Sequence, residues 1–192
     1  LKNQLKTYLQ NLKSPVELIV ALDGSDKAAE LKSLAEDIAS LSSLIQLKHE
    51  TDPAVMKPSM LVRSTAKNTQ IRFAGVPMGH EFTSLVLALL HSGGHTIKEE
   101  AAVLEQIAAL QGEFNFEIFV SLSCQTCPEV VQALNLMAAV NPAIKTTMID
   151  GAVFQDEVSK RNIMAVPTVY LNGQQFSQGA ITLTNILNTI DT

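Results

Sequence analysis

The chain's two cysteines both fall in one motif, Cys124-Gln125-Thr126-Cys127. Two thiols at this spacing can attack a foreign disulfide and then resolve the mixed disulfide that forms, which a lone thiol cannot do. The motif follows a β-rich stretch, Phe116 to Leu122, and precedes Val130, Val131, Leu134, Met137 and Ala138 at helical spacing. That places it at a strand-to-helix turn within a βαβ pattern, the setting in which C-x-x-C reads as redox. A helix N-terminus carries about half a positive charge and unpaired N–H groups. A thiolate at Cys124 is stabilised there, and the deprotonated sulfur is the attacking species. Cys127 lies one turn later, placed to resolve, and Pro128 sits in the first turn where its missing N–H costs little. No metal is expected: zinc asks for four ligands, there is no second C-x-x-C, and the nearest histidine along the chain, His95, belongs to another segment. A purely structural disulfide closing so short a loop would constrain little of the unfolded chain.

Two further places bear on that chemistry. In thioredoxin-like proteins a cis-proline opens the strand facing the C-x-x-C and offers the backbone of the preceding residue to a substrate peptide. Val166-Pro167-Thr168 resembles that element, so Val166 and Pro167 are the expected substrate-binding residues. The plain alternative is a trans proline at a strand start, since only about 5% of X–Pro bonds are cis. Glu81 opens an almost wholly apolar stretch, Phe82 to Leu90. A carboxylate there reads first as a partner of the helix dipole. The sharper reading is a proton acceptor beside the thiols, and on that ground Glu81 is the third catalytic candidate after Cys124 and Cys127. His49, His80, His91 and His95 form no recognisable site and read as surface or helix-end residues.

The elements that position these residues occur twice. Val16 to Leu22 is β-rich, ends in Asp23-Gly24-Ser25-Asp26-Lys27 and leads into Ala28, Leu31, Leu34, Ala35 and Ile38 at helical spacing, a pattern that recurs 100 positions later around the cysteines. Second strands follow at Leu44 to Leu47 and Ile144 to Ile149, and then Pro58 and Pro167 each open another strand. Asn172-Gly173 predicts a two-residue hairpin, while Ser64 to Gln70 predicts a longer one in the first half. Gly75 and Gly179 precede closing helices over about Glu81 to His91 and Thr182 to Ile190. Each half therefore reads β-α-β, hairpin, helix: an α/β class of two tandem thioredoxin-like folds, with mixed sheets flanked by helices and packed as one unit. The expected division is residues 1–95, a redox-inactive repeat with Gly24 and Lys27 at the cysteine positions; 96–112, a helical connector; and 113–192, the redox-active repeat.

Composition narrows the partners. A net charge of −5 with scattered basic residues argues against nucleic acid or an anionic membrane surface. The longest apolar run, about Leu85 to Leu90, falls far short of the ~20 residues needed to cross a bilayer. Leu1 to Leu12 alternates apolar with polar residues and reads as an amphipathic helix rather than a secretory signal. With both cysteines in a catalytic spacing, a reducing cytoplasm is expected. The first residue is not Met and the chain stops immediately after a helical pattern, which suggests a fragment or an engineered form.

The stretches Phe73-Ala74-Gly75, Gly79-His80-Glu81-Phe82-Thr83-Ser84-Leu85-Val86-Leu87-Ala88-Leu89-Leu90, Ser121-Leu122-Ser123-Cys124 and Val131-Gln132-Ala133-Leu134-Asn135-Leu136-Met137 resemble the N-terminal domain of the flavoprotein subunit of bacterial alkyl hydroperoxide reductase. The resemblance covers essentially the whole chain. It implies a dithiol relay that takes electrons from a thioredoxin-reductase-like part of the same full-length protein, where FAD and NADH would bind, and delivers them to the disulfide of a peroxiredoxin. It implies no cofactor in this chain itself. Cys124 would attack, Cys127 would resolve, and Glu81 matches an acid of the family's first repeat. Gln125-Thr126 differs from the His-Asn pair of some members. The competing readings are a general dithiol reductant of the glutaredoxin or protein disulfide oxidoreductase kind, and a non-redox interaction module.

Overall fold

The computed structural model describes residues 2–190. After an N-terminal helix α1 (Lys2–Leu9), the first half runs β1 (Val16–Ala21), α2 (Asp26–Ser40), β2 (Ile45–His49), β3 (Ser59–Ser64), β4 (Gln70–Ala74), a 3-10 turn (Gly79–Glu81) and α3 (Phe82–Ser92). A connecting helix α4 (Ala101–Ala109) leads to β5 (Phe114–Val120), α5 (Cys127–Val140), β6 (Ile144–Asp150), α6 (Gln155–Lys160), β7 (Thr168–Leu171), β8 (Gln174–Gln178) and α7 (Leu183–Ile190).

The two halves do not form two adjacent sheets. Their strands hydrogen-bond into one eight-stranded sheet ordered β2-β1-β3-β4-β6-β5-β7-β8. The seam is parallel, with Phe73 opposite Met148 and Ala74 opposite Ile149. Each half alone would leave that edge open, and an unpaired row of backbone N–H and C=O groups is a liability that the pairing removes. Within each half the first strand pairs parallel with its successor and antiparallel with the strand that follows the proline.

Strands β1 and β5 bury most of their residues and are largely apolar, with Glu17, Asn115 and Glu117 as their polar members. Leu18, Phe73, Leu85, Leu89, Phe116, Ile118, Leu134 and Met137 belong to one hydrophobic cluster that runs through both halves. Helices α3 and α5 pack on each other across the seam. A smaller cluster around Ala74, Phe119, Ile149 and Tyr170 packs against Phe154, Val158 and Ile163.

Turn chemistry follows the sequence. Asn172 and Gly173 take φ of 50° and 83°, the left-handed pair that a tight hairpin of this twist demands. Ser25 caps α2 by accepting a hydrogen bond from the Ala28 N–H. Three expectations shift. The closing helix of the first half starts at Phe82 rather than Glu81, because Gly79 to Glu81 wind as a 3-10 turn. The connector becomes helical only at Ala101, since no apolar side chain anchors the exposed Lys98-Glu99-Glu100. Helix α6 was not expected: it buries none of its residues and so carries no apolar periodicity. Among the described residues no helix is long and apolar enough to cross a membrane.

Candidate functional site: a disulfide at the seam of the two halves

The loop from β5 to α5 is folded tightly before the cysteines. The Cys124 N–H donates to the Ser121 carbonyl at 3.0 Å, and the Ser123 N–H donates to Ser121 Oγ at 3.3 Å. Cys124 and Cys127 are joined in a disulfide with their Cα atoms 5.5 Å apart. The two sulfurs are placed unequally. Cys124 precedes the helix and is partly exposed, whereas Cys127 is the first residue of α5 and is wholly buried. Only Cys124 is open to a foreign disulfide. Thr126 holds the N-cap position without a capping side-chain bond, which leaves the positive end of α5 toward the Cys124 loop. The Thr126 hydroxyl lies 3.5 Å from Cys124 Sγ.

Pro167 immediately precedes β7, and its bond to Val166 is cis, as the sequence pattern suggested. Strand β7 pairs with β5 so that Thr168 stands opposite Phe119. The chain leading into β7 and the chain leaving β5 toward Cys124 therefore share one end of one strand pair. The Thr168 hydroxyl donates to the Ala165 carbonyl at 2.6 Å, and the Gly179 N–H donates to the Pro167 carbonyl at 2.8 Å. The first half reproduces this arrangement. Its Lys57–Pro58 bond is cis, Ser59 Oγ donates to Met56 O at 2.6 Å and Gly75 N donates to Pro58 O at 2.9 Å. A groove of about 860 Å³, lined by Lys57, Pro58, Ser121, Ser123, Asp150 and others, connects the two loops.

Glu81 arrives from the other half. The His80 N–H donates to the Leu122 carbonyl at 3.0 Å, which ties the 3-10 turn to the loop that carries the cysteines. Gly79 makes this approach possible: it has φ +58°, and a Cβ there would lie 2.8 Å from the Leu122 carbonyl oxygen. The Glu81 carboxyl is fully buried. Glu81 stands at the N-cap of α3, where a partner of the helix dipole was expected, yet its side chain makes no capping bond to the helix backbone. Instead Ser84 Oγ donates to Glu81 Oε1 at 2.7 Å, Gln132 Nε2 on α5 donates to Ser84 Oγ at 3.2 Å, and Oε2 has no partner. Burial pushes the Glu81 carboxyl up to about 7, partly opposed by the Ser84 hydrogen bond.

Ser84 and Gln132 are the site residues that sequence reasoning missed. Ser84 follows Glu81 by one helical turn, a spacing that could have flagged it. Gln132 belongs to the other half and had no local signal. Among the histidines, His91 is half-buried near His95, and both effects lower its pKa, burial more than the neighbour. Among the described residues no group of three or more His, Cys, Asp or Glu is placed to hold a metal ion.

Known proteins share this fold. A family model described as a thioredoxin domain matches residues 114–192. The F subunit of alkyl hydroperoxide reductase in Escherichia coli (strain K12) is 54% identical over all 192 residues, and its counterpart in Pseudomonas putida 56%. The chain spans 37% of the length of each of these relatives. A protein disulfide oxidoreductase from Aeropyrum pernix k1 shares the fold, at a TM-score of 0.81 and 23% identity over 97% of this chain and 89% of that one. The NTD_N/C domain of the alkylhydroperoxide reductase AhpF from Enterococcus faecalis (V583) superposes at a TM-score of 0.87 with 32% identity, covering 97% of this chain and 96% of that one. With a match of that extent at both levels, the chain belongs to the family of N-terminal domains of the alkyl hydroperoxide reductase AhpF.

Proposed function

We propose that this chain is a thiol–disulfide relay that passes two electrons from the reductase part of a longer protein to the disulfide of a peroxiredoxin, in support of alkyl hydroperoxide reduction. The observation that carries the reading is the disulfide itself, with one sulfur partly exposed before α5 and the other sealed beneath it. In the reduced chain the Cys124 thiolate attacks the partner's disulfide. A mixed disulfide forms, and the displaced partner sulfur leaves as a thiolate and takes a proton. Cys127 then loses its proton and attacks Cys124 Sγ, which releases the partner's second sulfur. The partner gains two electrons and two protons, and Cys124–Cys127 closes again.

Glu81 serves in this scheme as the acceptor of a thiol proton. Its carboxyl is buried, lacks a partner on one oxygen and is pushed up to about 7, so both protonation states are accessible near neutral pH. Val166 and Pro167 line the approach to Cys124 and serve as the substrate-binding residues. Residues 1–95 act as the docking and proton-handling half, 96–112 as connector and 113–192 as the electron-carrying half, working in the cytoplasm. FAD and NADH belong, on this reading, outside the chain. Neither the Asp23–Asp26 turn nor the Ser121–Cys127 turn has the G-x-G-x-x-G spacing that cradles a pyrophosphate.

The test is a trap combined with a rate comparison. The Cys127→Ser variant should hold an oxidised peroxiredoxin as a stable mixed disulfide through Cys124. The reduced wild-type chain should reduce that peroxiredoxin far faster than insulin. Equal rates on both substrates would point to a general dithiol reductant instead.

A further inference from the structure

All six methionines of the chain lie in the described residues, and five are wholly or partly buried. Met60, Met137 and Met148 are at most 1% exposed, whereas Met164 is 90% exposed. Met164 does not hang on a loose segment. On one side of it, Arg161 makes a bidentate pair with Glu117 at 2.9 and 3.1 Å and stacks over the rings of Phe119 and Tyr170. The Ile163 N–H donates to the Val158 carbonyl at 3.0 Å, and the Ile163 side chain packs on the cluster around Phe119. On the other side, the Ala165 carbonyl accepts the Thr168 hydroxyl at 2.6 Å. A loop pinned at both ends thus holds one apolar side chain out in water. It does so two residues before Val166, at the end of the β5–β7 pair from which the chain leaves toward Cys124.

An apolar side chain presented on a rigid loop loses little conformational freedom when a partner covers it, which is what makes an exposed residue a good anchor. Methionine adds a soft, adaptable surface and a thioether that peroxide can oxidise. We propose that Met164 is the apolar contact by which a disulfide-bearing protein seats beside Cys124, and that hydroperoxide turns this contact off by oxidising it. The inference rests on the relay reading for the identity of the partner, a peroxiredoxin. In the oxidation the thioether sulfur takes one oxygen from a hydroperoxide, the O–O bond breaks, the sulfur is oxidised by two electrons, and the hydroperoxide leaves as its alcohol. The product is a polar sulfoxide where the partner needs an apolar surface. Buried methionines are shielded from the same reagent, so the loss is confined to docking, and electron delivery slows under peroxide overload while the dithiol itself stays competent.

The experiment begins with the chain in its disulfide form, so that the thiols are protected, under graded tert-butyl hydroperoxide. Peptide mass mapping should show Met164 gaining an oxygen before any other methionine. The treated protein is then reduced with dithiothreitol, desalted and mixed rapidly with either an oxidised peroxiredoxin or the small disulfide dithiobis-nitrobenzoate. Oxidised protein and the Met164→Gln variant should reduce the peroxiredoxin about fivefold more slowly than untreated wild type, the scale of one apolar interface contact. Rates on the small disulfide should be unchanged, and Met164→Leu should keep the wild-type rate on both substrates even after peroxide. Oxygen uptake at Met164 no faster than at Met78, an undiminished rate for Met164→Gln, or equal slowing on both substrates would each overturn the proposal. A wild-type chain with no preference for the peroxiredoxin over insulin sinks the relay reading and this contact with it; a preference that Met164→Gln retains sinks the contact alone.

Discussion

Replacing Glu81 by Gln isolates the effect of one buried carboxyl on stability. Its ordinary value is 4.5, and burial raises it to about 7 in the folded chain. The folded state therefore holds the proton more tightly than the unfolded state, so stability falls with rising pH wherever the unfolded chain has already released it. The loss starts near 4.5, accumulates up to about 7 and is constant above that. A displacement of this size corresponds to about 3 kcal/mol at full ionisation, taking about 1.4 kcal/mol per pH unit. The amide that the substitution introduces does not titrate and can still accept from Ser84. The assay is urea unfolding of the oxidised chain, wild type and Glu81→Gln, at several values between pH 5 and pH 8.5. Other carboxyls, including Asp150, whose pKa burial also raises, cancel in the difference between the two proteins. The wild type should lose about 2.5 kcal/mol relative to the variant across that range, because part of the loss already falls below pH 5. A difference that stays flat with pH would refute the claim that Glu81 is an isolated, desolvated acid. The same variant should flatten the pH profile of peroxiredoxin reduction between about 6 and 8 if the carboxyl handles a thiol proton.

Two substitutions probe how the halves are held. Gly79→Ala puts a methyl group 2.8 Å from the Leu122 carbonyl at a φ of +58°, and should cost about 2 kcal/mol in urea unfolding while slowing disulfide exchange at Cys124. A variant as stable and as fast as wild type would mean that the turn does not press on the cysteine loop. Asn141 donates from Nδ2 to the Ile107 and Leu110 carbonyls, both at 2.9 Å, and so pins α4 to the end of α5. Asn141→Ala should cost about 2 kcal/mol and accelerate amide exchange over residues 101–110, leaving the rate at Cys124 unchanged.

The repeat, the cysteine turn and the Asn172-Gly173 hairpin were legible because each rests on a local rule: a period of apolar residues, a helix N-terminus, a pair of residues that tolerate positive φ. The seam between β4 and β6 was not, because Gln70–Ala74 and Ile144–Asp150 carry nothing that distinguishes an edge strand from one paired with a distant partner. Glu81 shows the same limit at a single residue. Read along the chain, it opens an apolar helix and invites a capping role. In space, the close approach at Gly79 and Leu122 buries it, and Ser84 and Gln132 take the place of the helix backbone as its surroundings.

On the proposed relay reading, that burial gives a half without cysteines a part to play. A single thioredoxin-like unit would have to supply its proton acceptor from its own strands and helices. Here the 3-10 turn of one half is bonded to the loop of the other, and one continuous sheet and one core hold both in register. Gly24 and Lys27 at the cysteine positions of the first half are consistent with this division, in which the proposed contribution of that half is a carboxyl at its far end. Because the Glu81 network spans α3 and α5, anything that shifts one half against the other changes the environment of the acid and the disulfide together. Loosening the β4–β6 seam should therefore lower the Glu81 pKa toward 4.5 before either half unfolds.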